Sequence, residues 1–100
     1  METAELQKRA VEIVDILDKK FSVKRDAQLN LAQLVEEIGE LAKDINLKRL
    51  RHKDPDRENL EGEFADVFLQ LSKQADIAGI DLEKAVLGKT EELKKRHGLQ

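Results

Sequence analysis

Two short acidic clusters are the parts of this sequence whose residue types and spacing could do chemistry. The first contains Glu36, Glu37 and Glu40, and the second contains Glu63 and Asp66. Each lies in a segment of helical apolar periodicity, where carboxylates are costly unless something compensates their charge. Mutual repulsion would raise their pKa values, and the natural counter-charge is a hard cation that prefers oxygen ligands, Mg²⁺ or Mn²⁺. The pattern therefore predicts a divalent-cation site.

Helical geometry indicates how the two clusters would meet. At about 100° per residue, Glu37 and Glu40 lie on one flank of their helix, and Glu63 and Asp66 share a flank of the next. If the two helices pack antiparallel, which a short connection favours, these four carboxylates face each other and form one cage. Glu36 lies further out, where it suits a second ion or the orientation of a water molecule. Glu63 is expected to be partly buried.

Apolar residues recurring at three- and four-residue steps predict four helices. The first covers about Thr3–Lys20. The second follows an N-cap at Asp26 or Asn30, whose side-chain oxygens can accept from the free amides of a first turn, and extends to about Arg49. Its predicted core stripe is Leu31, Leu34, Ile38, Leu41 and Ile45.

The third helix is predicted to begin with Asp54 as N-cap and Pro55 at its first position, where a missing amide costs nothing. Gly79 ends it. The fourth helix runs from Leu82 to about His97 and is expected to bury Ala85, Val86 and Leu93. The core residues predicted for the third helix are Leu60, Phe64, Val67, Leu71, Ala75 and Ala78.

Composition limits the fold and the class of protein. With 100 residues, 40% of them hydrophobic and 39% charged, the chain suits one all-α domain over residues 1–100, a four-helix bundle with a thin core. The formal net charge of −3 does not favour a nucleic-acid partner. No segment is apolar enough to suggest a membrane span, and the absence of cysteine fits a protein of the reducing cytoplasm.

Three segments resemble the MazG-like nucleotide pyrophosphohydrolases: residues 34–42 (LVEEIGELA), 63–69 (EFADVFL) and 78–85 (AGIDLEKA). An EExxE motif followed by ExxD on the next helix is that family's metal signature. The resemblance implies Mg²⁺-dependent cleavage of a nucleoside triphosphate to the monophosphate and pyrophosphate. It also implies assembly of the chains into dimers or tetramers.

Individual residues take roles from the same resemblance. It assigns metal binding to Glu37, Glu40, Glu63 and Asp66, with Glu36 as the outer acid that binds a further ion or helps activate water. In the last helix, Lys89 and Arg96 match the positions that bind the substrate's phosphates. This chain departs from the family pattern there, with Leu93 where relatives often have asparagine and His97 where an aromatic residue is usual. No Trp or Tyr is present to stack on a base, and Phe64 and Phe68 are expected to be packing residues.

Two other functions fit the same sequence. Phosphoribosyl-ATP pyrophosphohydrolases resemble this pattern and also split an α–β phosphoanhydride bond. A non-enzymatic helical dimerisation module would carry the same acids as a solvated or ion-stabilised face. In that case Mg²⁺ would not change the thermal stability, and Glu40→Gln would be nearly silent.

Overall fold

The computed structural model describes residues 2–100 and contains five helices, one more than the periodicity predicts. No strand occurs within these residues, which confirms the all-α prediction. None of the helices described combines the length and the apolar character needed to cross a bilayer. The helices are α1 (Thr3–Lys20), α2 (Ala27–Ile45), α3 (Leu47–Arg51), α4 (Arg57–Ile77) and α5 (Leu82–Arg96).

The ends of α2 are set by two side chains. Asp26 is the N-cap, and its carboxylate accepts a hydrogen bond from the backbone N–H of Leu29 at 2.8 Å. At the other end Asn46 donates from its side chain to the carbonyl of Ala42 at 2.8 Å. Helix α2 therefore stops short of the predicted end near Arg49, and the basic residues that follow form the separate short helix α3.

The predicted start of α4, with Asp54 as N-cap and Pro55 at the first position, was wrong. Asp56 is the N-cap, and its carboxylate accepts from the backbone N–H of Glu58 at 3.0 Å. Asp54 instead forms an exposed ion pair with Lys48 at 3.0 Å. Proline still precedes the helix, where its missing N–H costs no intrahelical hydrogen bond.

Glycine and aspartate make the sharp connection between α4 and α5, and the glycine stop is the one that the sequence predicts. Gly79 adopts φ +71°, a conformation that glycine reaches without strain, and the N–H of Ile80 closes the turn on the carbonyl of Ala75 at 2.8 Å. Asp81 then caps α5 by accepting from the N–H of Lys84 at 3.2 Å. Gln7 of α1 holds this connection in place, since its side chain donates to Ile80 and accepts from Leu82.

Helix α4 lies between α2 and α1, and α5 packs mainly on α1. A small core joins Ala10 and Val14 of α1, Leu34 of α2 and Ala75 of α4. Several residues predicted to lie in the core are exposed in the single chain, so the prediction of their burial was wrong for the single chain. They are Leu31, Ile38 and Ile45 of α2, Phe64 and Leu71 of α4, Ala78 directly after α4, and Ala85, Val86 and Leu93 of α5.

Polar side chains occupy much of the contact between α2 and α4. Asn30 is fully buried, and its amide donates to the carbonyl of Gln70 at 3.0 Å and to the side chain of Gln74 at 2.7 Å. Arg25 donates to the Asn30 side-chain oxygen at 2.9 Å and binds both oxygens of Asp18, at 2.7 and 2.8 Å. These bonds join the start of α2 to the second half of α4, so the two helices run antiparallel, as predicted.

Candidate metal centre

The antiparallel packing of α2 and α4 brings the two acidic clusters to one groove. Glu37 of α2 lies within electrostatic range of Asp66 on α4 and of Glu40 on its own helix. Glu63 of α4 lies within range of Glu40, Asp66 and a further acid, Asp44. We refer to Glu37, Glu40, Asp44, Glu63 and Asp66 as the acidic groove.

Glu63 is the most perturbed carboxyl group of the groove. It is half-buried, as predicted, and its Oε2 atom is shielded from solvent without a hydrogen-bond partner among the described residues. Burial raises the pKa of Glu63 to about 7, together with a hydrogen bond to Asp44 and the charges of Asp44, Glu40 and Asp66. The Glu63 carboxyl group therefore holds its proton to a higher pH than an ordinary glutamate does.

Glu37 is perturbed in the same direction. It is half-buried, and burial is the largest cause that raises the pKa of its carboxyl group, followed by the charges of Asp66, Glu40 and Glu36. Glu36, Glu40 and Asp66 are exposed. The groove thus has three half-buried carboxyl groups, Glu37, Asp44 and Glu63, and an exposed rim.

The donor set fits a hard divalent cation, although the side chains are not arranged as a finished coordination sphere. Across residues 2–100, no group of three or more carboxylate, imidazole or thiolate side chains stands at metal-ligand spacing. No lysine, arginine or histidine of the described chain forms an ion pair with the four predicted ligands. Unpaired carboxylates, raised pKa values and one unpartnered buried oxygen are what a cation with oxygen preference would compensate.

Sequence reasoning missed Asp44 and its partner Asn59. The amide of Asn59 in the first turn of α4 donates to the Asp44 carboxylate at 2.7 Å. The signal for Asp44 was present, because it lies four residues after Glu40 and seven after Glu37, on the same side of α2. It was overlooked because the EExxE motif ends at Glu40. For Asn59 the sequence gives no comparable signal.

The two predicted phosphate-binding residues lie elsewhere in the chain. Lys89 and Arg96 are exposed on α5, where both pair with Glu92, Lys89 at 3.4 Å. Because α5 packs mainly on α1, the single chain does not bring these cations to the acidic groove. Leu93 lies between them on α5 and is 37% exposed.

Comparison with known proteins gives one positive finding. Residues 25–98 match the family of the MazG nucleotide pyrophosphohydrolase domain, a range that includes both acidic clusters and begins after the end of α1. No match was found among curated proteins or among solved structures.

Proposed function

Because this chain belongs to the MazG nucleotide pyrophosphohydrolase family, we propose that it hydrolyses a nucleoside triphosphate to the monophosphate and pyrophosphate with Mg²⁺ as cofactor. The observation that carries this proposal is the meeting of the EExxE and ExxD carboxylates, without cationic partners, across the antiparallel α2–α4 pair. Mn²⁺ has the same preference for oxygen ligands and is expected to substitute.

Glu37, Glu40, Glu63 and Asp66 would hold the cation. When bound, Mg²⁺ supplies counter-charge for the phosphate oxygens and polarises water. The carboxylates prevent a triphosphate from binding in the groove without divalent ions, because like charges repel. Binding therefore depends on the ion as well as on the substrate.

In the proposed reaction Glu36 would accept the proton. It is exposed beside Glu37 and close enough to influence its pKa. In the proposed step the oxygen of water bonds to the α-phosphorus, and the bond from that phosphorus to the bridging oxygen breaks. Pyrophosphate leaves with the bridging oxygen, while Glu36 accepts the proton of the attacking water.

A second copy of the chain is part of the proposal. The chain exposes 7898 Å², whereas a globular monomer of this mass exposes about 5,800 Å². Its radius of gyration is 16.3 Å, against about 13 Å for a compact domain of this length. The excess area of about 2,000 Å² exceeds the roughly 800 Å² that one partner buries in a standard interface.

The exposed apolar residues of α2 show where a partner helix would pack. Leu31, Val35, Ile38 and Ile45 are each about half exposed and follow one another at steps of four, three and seven residues, the spacing of a helix-packing seam. This stripe lies beside the buried one, so α2 can contact α4 on one side and another chain on the other. We expect a homodimer or a homotetramer, and assembly is also the route by which Lys89 and Arg96 would reach an acidic groove.

The test is a pyrophosphate-release screen over ribo- and deoxyribonucleoside triphosphates and phosphoribosyl-ATP, with Mg²⁺ or Mn²⁺. The proposal predicts metal-dependent release from at least one nucleoside triphosphate and its loss in Glu37→Gln. The matched control is Glu61→Gln, because Glu61 is exposed on α4 and pairs with Arg57 outside the groove. Release from phosphoribosyl-ATP alone would make phosphoribosyl-ATP the substrate in place of a nucleoside triphosphate. No release from any substrate would refute the proposal.

A further inference from the structure

Two hydrogen bonds fix the register of α2 against α4. Near the start of α2, Asn30 donates to the carbonyl of Gln70 at 3.0 Å. Near the start of α4, Asn59 donates to the carboxylate of Asp44 at 2.7 Å. Because residues rise by the same distance along both helices, these bonds place Gln33 of α2 opposite Gln70 of α4.

Gln33 and Gln70 form the layer of the groove next to the predicted metal ligands. Gln33 lies one helical turn before Glu37, and Gln70 lies one turn after Asp66. Since the two helices are antiparallel, both amides fall at the same end of the acidic groove, about 6 Å further along it. The opposite end holds Asp44 and leads into α3.

Arg25 determines how both amides are turned. Its Nη1 atom donates to the side-chain oxygen of Gln33 and, at 3.4 Å, to that of Gln70. A guanidinium group has donors only, so each amide turns its oxygen towards Arg25 and its NH₂ group away from it. Two hydrogen bonds to Asp18, at 2.7 and 2.8 Å, hold the guanidinium itself in place.

The NH₂ groups of Gln33 and Gln70 are free to bind a ligand. Neither Nε2 atom donates to a protein acceptor within residues 2–100. The buried polar side-chain atoms without a partner in that range are Oε2 of Glu63 and Oγ of Ser72, so both Nε2 atoms are in contact with solvent. The two half-buried amides therefore present a pair of fixed, unused donors.

The charges beyond the two ends of the groove indicate how a nucleotide would lie in it. In the segment after α2, Lys48 pairs with Asp54, whereas Arg49, Arg51 and Lys53 are exposed and form no ion pair within the described chain. These cations suit the pyrophosphate part of a triphosphate, which carries most of its charge. The amide end offers neutral donors and suits the nucleoside part.

We propose that Gln33 and Gln70 are specificity-determining residues that donate hydrogen bonds to the base of the bound nucleotide. The inference rests on the proposed function, because it concerns the substrate of the same site. Two donors match a base that presents acceptors alone, such as O6 and N7 of guanine or the ring carbonyl oxygens of thymine and uracil. Adenine and cytosine carry an amino donor, which would face a second donor. The site should therefore prefer guanine, thymine and uracil.

The test compares kcat/KM for pyrophosphate release from dGTP, dTTP, dATP and dCTP. The wild-type protein should favour dGTP and dTTP by about fivefold to a hundredfold, the discrimination that a good bidentate contact gives. In Gln33→Glu and Gln70→Glu the oxygen that accepts from Arg25 is kept, and the donor becomes an acceptor. Each variant should abolish or reverse the preference without lowering the melting temperature. A ratio between substrates is used because general losses of activity cancel in it.

Gln74→Glu is the matched control. Gln74 lies one turn after Gln70 on α4, but both ends of its amide are used inside the protein, since the oxygen accepts from Asn30 at 2.7 Å and the nitrogen donates to the carbonyl of Ala27 at 3.2 Å. This variant should lower the melting temperature and keep the base preference of the wild type.

Two results would overturn the inference. One is a wild-type protein with equal kcat/KM for the four substrates, or with a base preference that Gln33→Glu and Gln70→Glu leave unchanged. The other is a variant that changes the ratio of GTP to dGTP and leaves the base preference intact, because the donors would then bind the sugar.

Failure of the inference and failure of the proposed function give different results. If the wild-type protein releases pyrophosphate without preference among bases, only the inference fails. If it releases none from any nucleotide, the proposed function fails, and calorimetric binding of the same four nucleotides with Mg²⁺ replaces the activity readout. Tighter binding of dGTP and dTTP that Gln70→Glu abolishes supports the inference, and unselective or absent binding refutes it.

Discussion

Lowering the pH below neutrality should weaken Mg²⁺ binding at the acidic groove, because a proton and the cation compete for Glu63. The pKa of this carboxyl group is raised to about 7, first by burial and then by Asp44, Glu40 and Asp66. An ordinary glutamate is already ionised above about pH 5, so it would give no such dependence in the physiological range.

The size of the effect follows from that pKa. At pH 6 about one Glu63 carboxyl group in ten is ionised, and at pH 5 about one in a hundred. Since the cation binds the ionised form, its apparent dissociation constant should rise about tenfold for each pH unit below 7. Above pH 8 Glu63 is fully ionised, and its contribution to the pH dependence should level off.

Calorimetric titration with Mg²⁺ between pH 5.5 and 8.5 measures this dependence, with Mn²⁺ as a second ion. In buffers of different ionisation enthalpy, the same titrations count the protons released on binding, and near pH 7 about half a proton should come from Glu63. Glu63→Gln should bind weakly with little pH dependence, while Glu61→Gln should behave like the wild type. A wild-type affinity that is constant from pH 6 to pH 8 would refute the reasoning.

Three further outcomes are expected. In EDTA the melting temperature should fall as pH rises from about 4.5 through about 7, because the raised pKa of Glu63 favours the folded state only while this carboxyl group is protonated. Glu63→Gln should make the melting temperature depend less on pH over this range, and the same pH dependence in both proteins would count against the pKa shift. Asp18→Asn should lose about 3 kcal/mol in urea unfolding, because it leaves the buried Arg25 guanidinium unpaired; a loss below about 1 kcal/mol would show that the pair matters little. Ile38→Asp should reduce the mass measured by light scattering to that of one chain, and an unchanged oligomer would move the interface away from α2.

The helix ends were largely predictable, because local chemistry decides them. Asp26, Gly79 and Asp81 act at the ends of α2, α4 and α5 as their types suggest. The errors arose where two local signals competed. Asp54 and Asp56 flank the same proline, and hydrogen-bond geometry, which the sequence does not display, favours Asp56.

The rotation of α2 could not be predicted from hydrophobicity. Two neighbouring stripes with the same spacing run along this helix, and the predicted stripe mixed residues from both. The one that faces α4 carries Asn30, Leu34, Glu37, Leu41 and Asp44, whereas the more apolar one is exposed. The polar stripe is buried because Asn30 forms hydrogen bonds with Gln70 and Gln74 of α4. These contacts join residues far apart in the sequence, so the hydrophobic pattern of α2 alone does not predict them.

The grouping of the two acidic clusters was predictable from the sequence, but the side chains that contact them were not. The spacing of Glu37, Glu40, Glu63 and Asp66 indicated a shared groove, and antiparallel packing brings them there. Asp44 lies beyond the motif, and its hydrogen bond with Asn59 depends on where α4 begins, which the motif does not indicate.

The central claim is that the α2 and α4 carboxylates hold one divalent cation between them. Anomalous diffraction from crystals soaked in Mn²⁺ tests it most directly, in the wild-type protein and in Glu63→Gln. The account predicts a strong anomalous peak between Glu37 and Glu63 in the wild type and its loss in the variant. A well-ordered groove without a peak at saturating Mn²⁺, or a peak that Glu63→Gln leaves unchanged, would contradict the account.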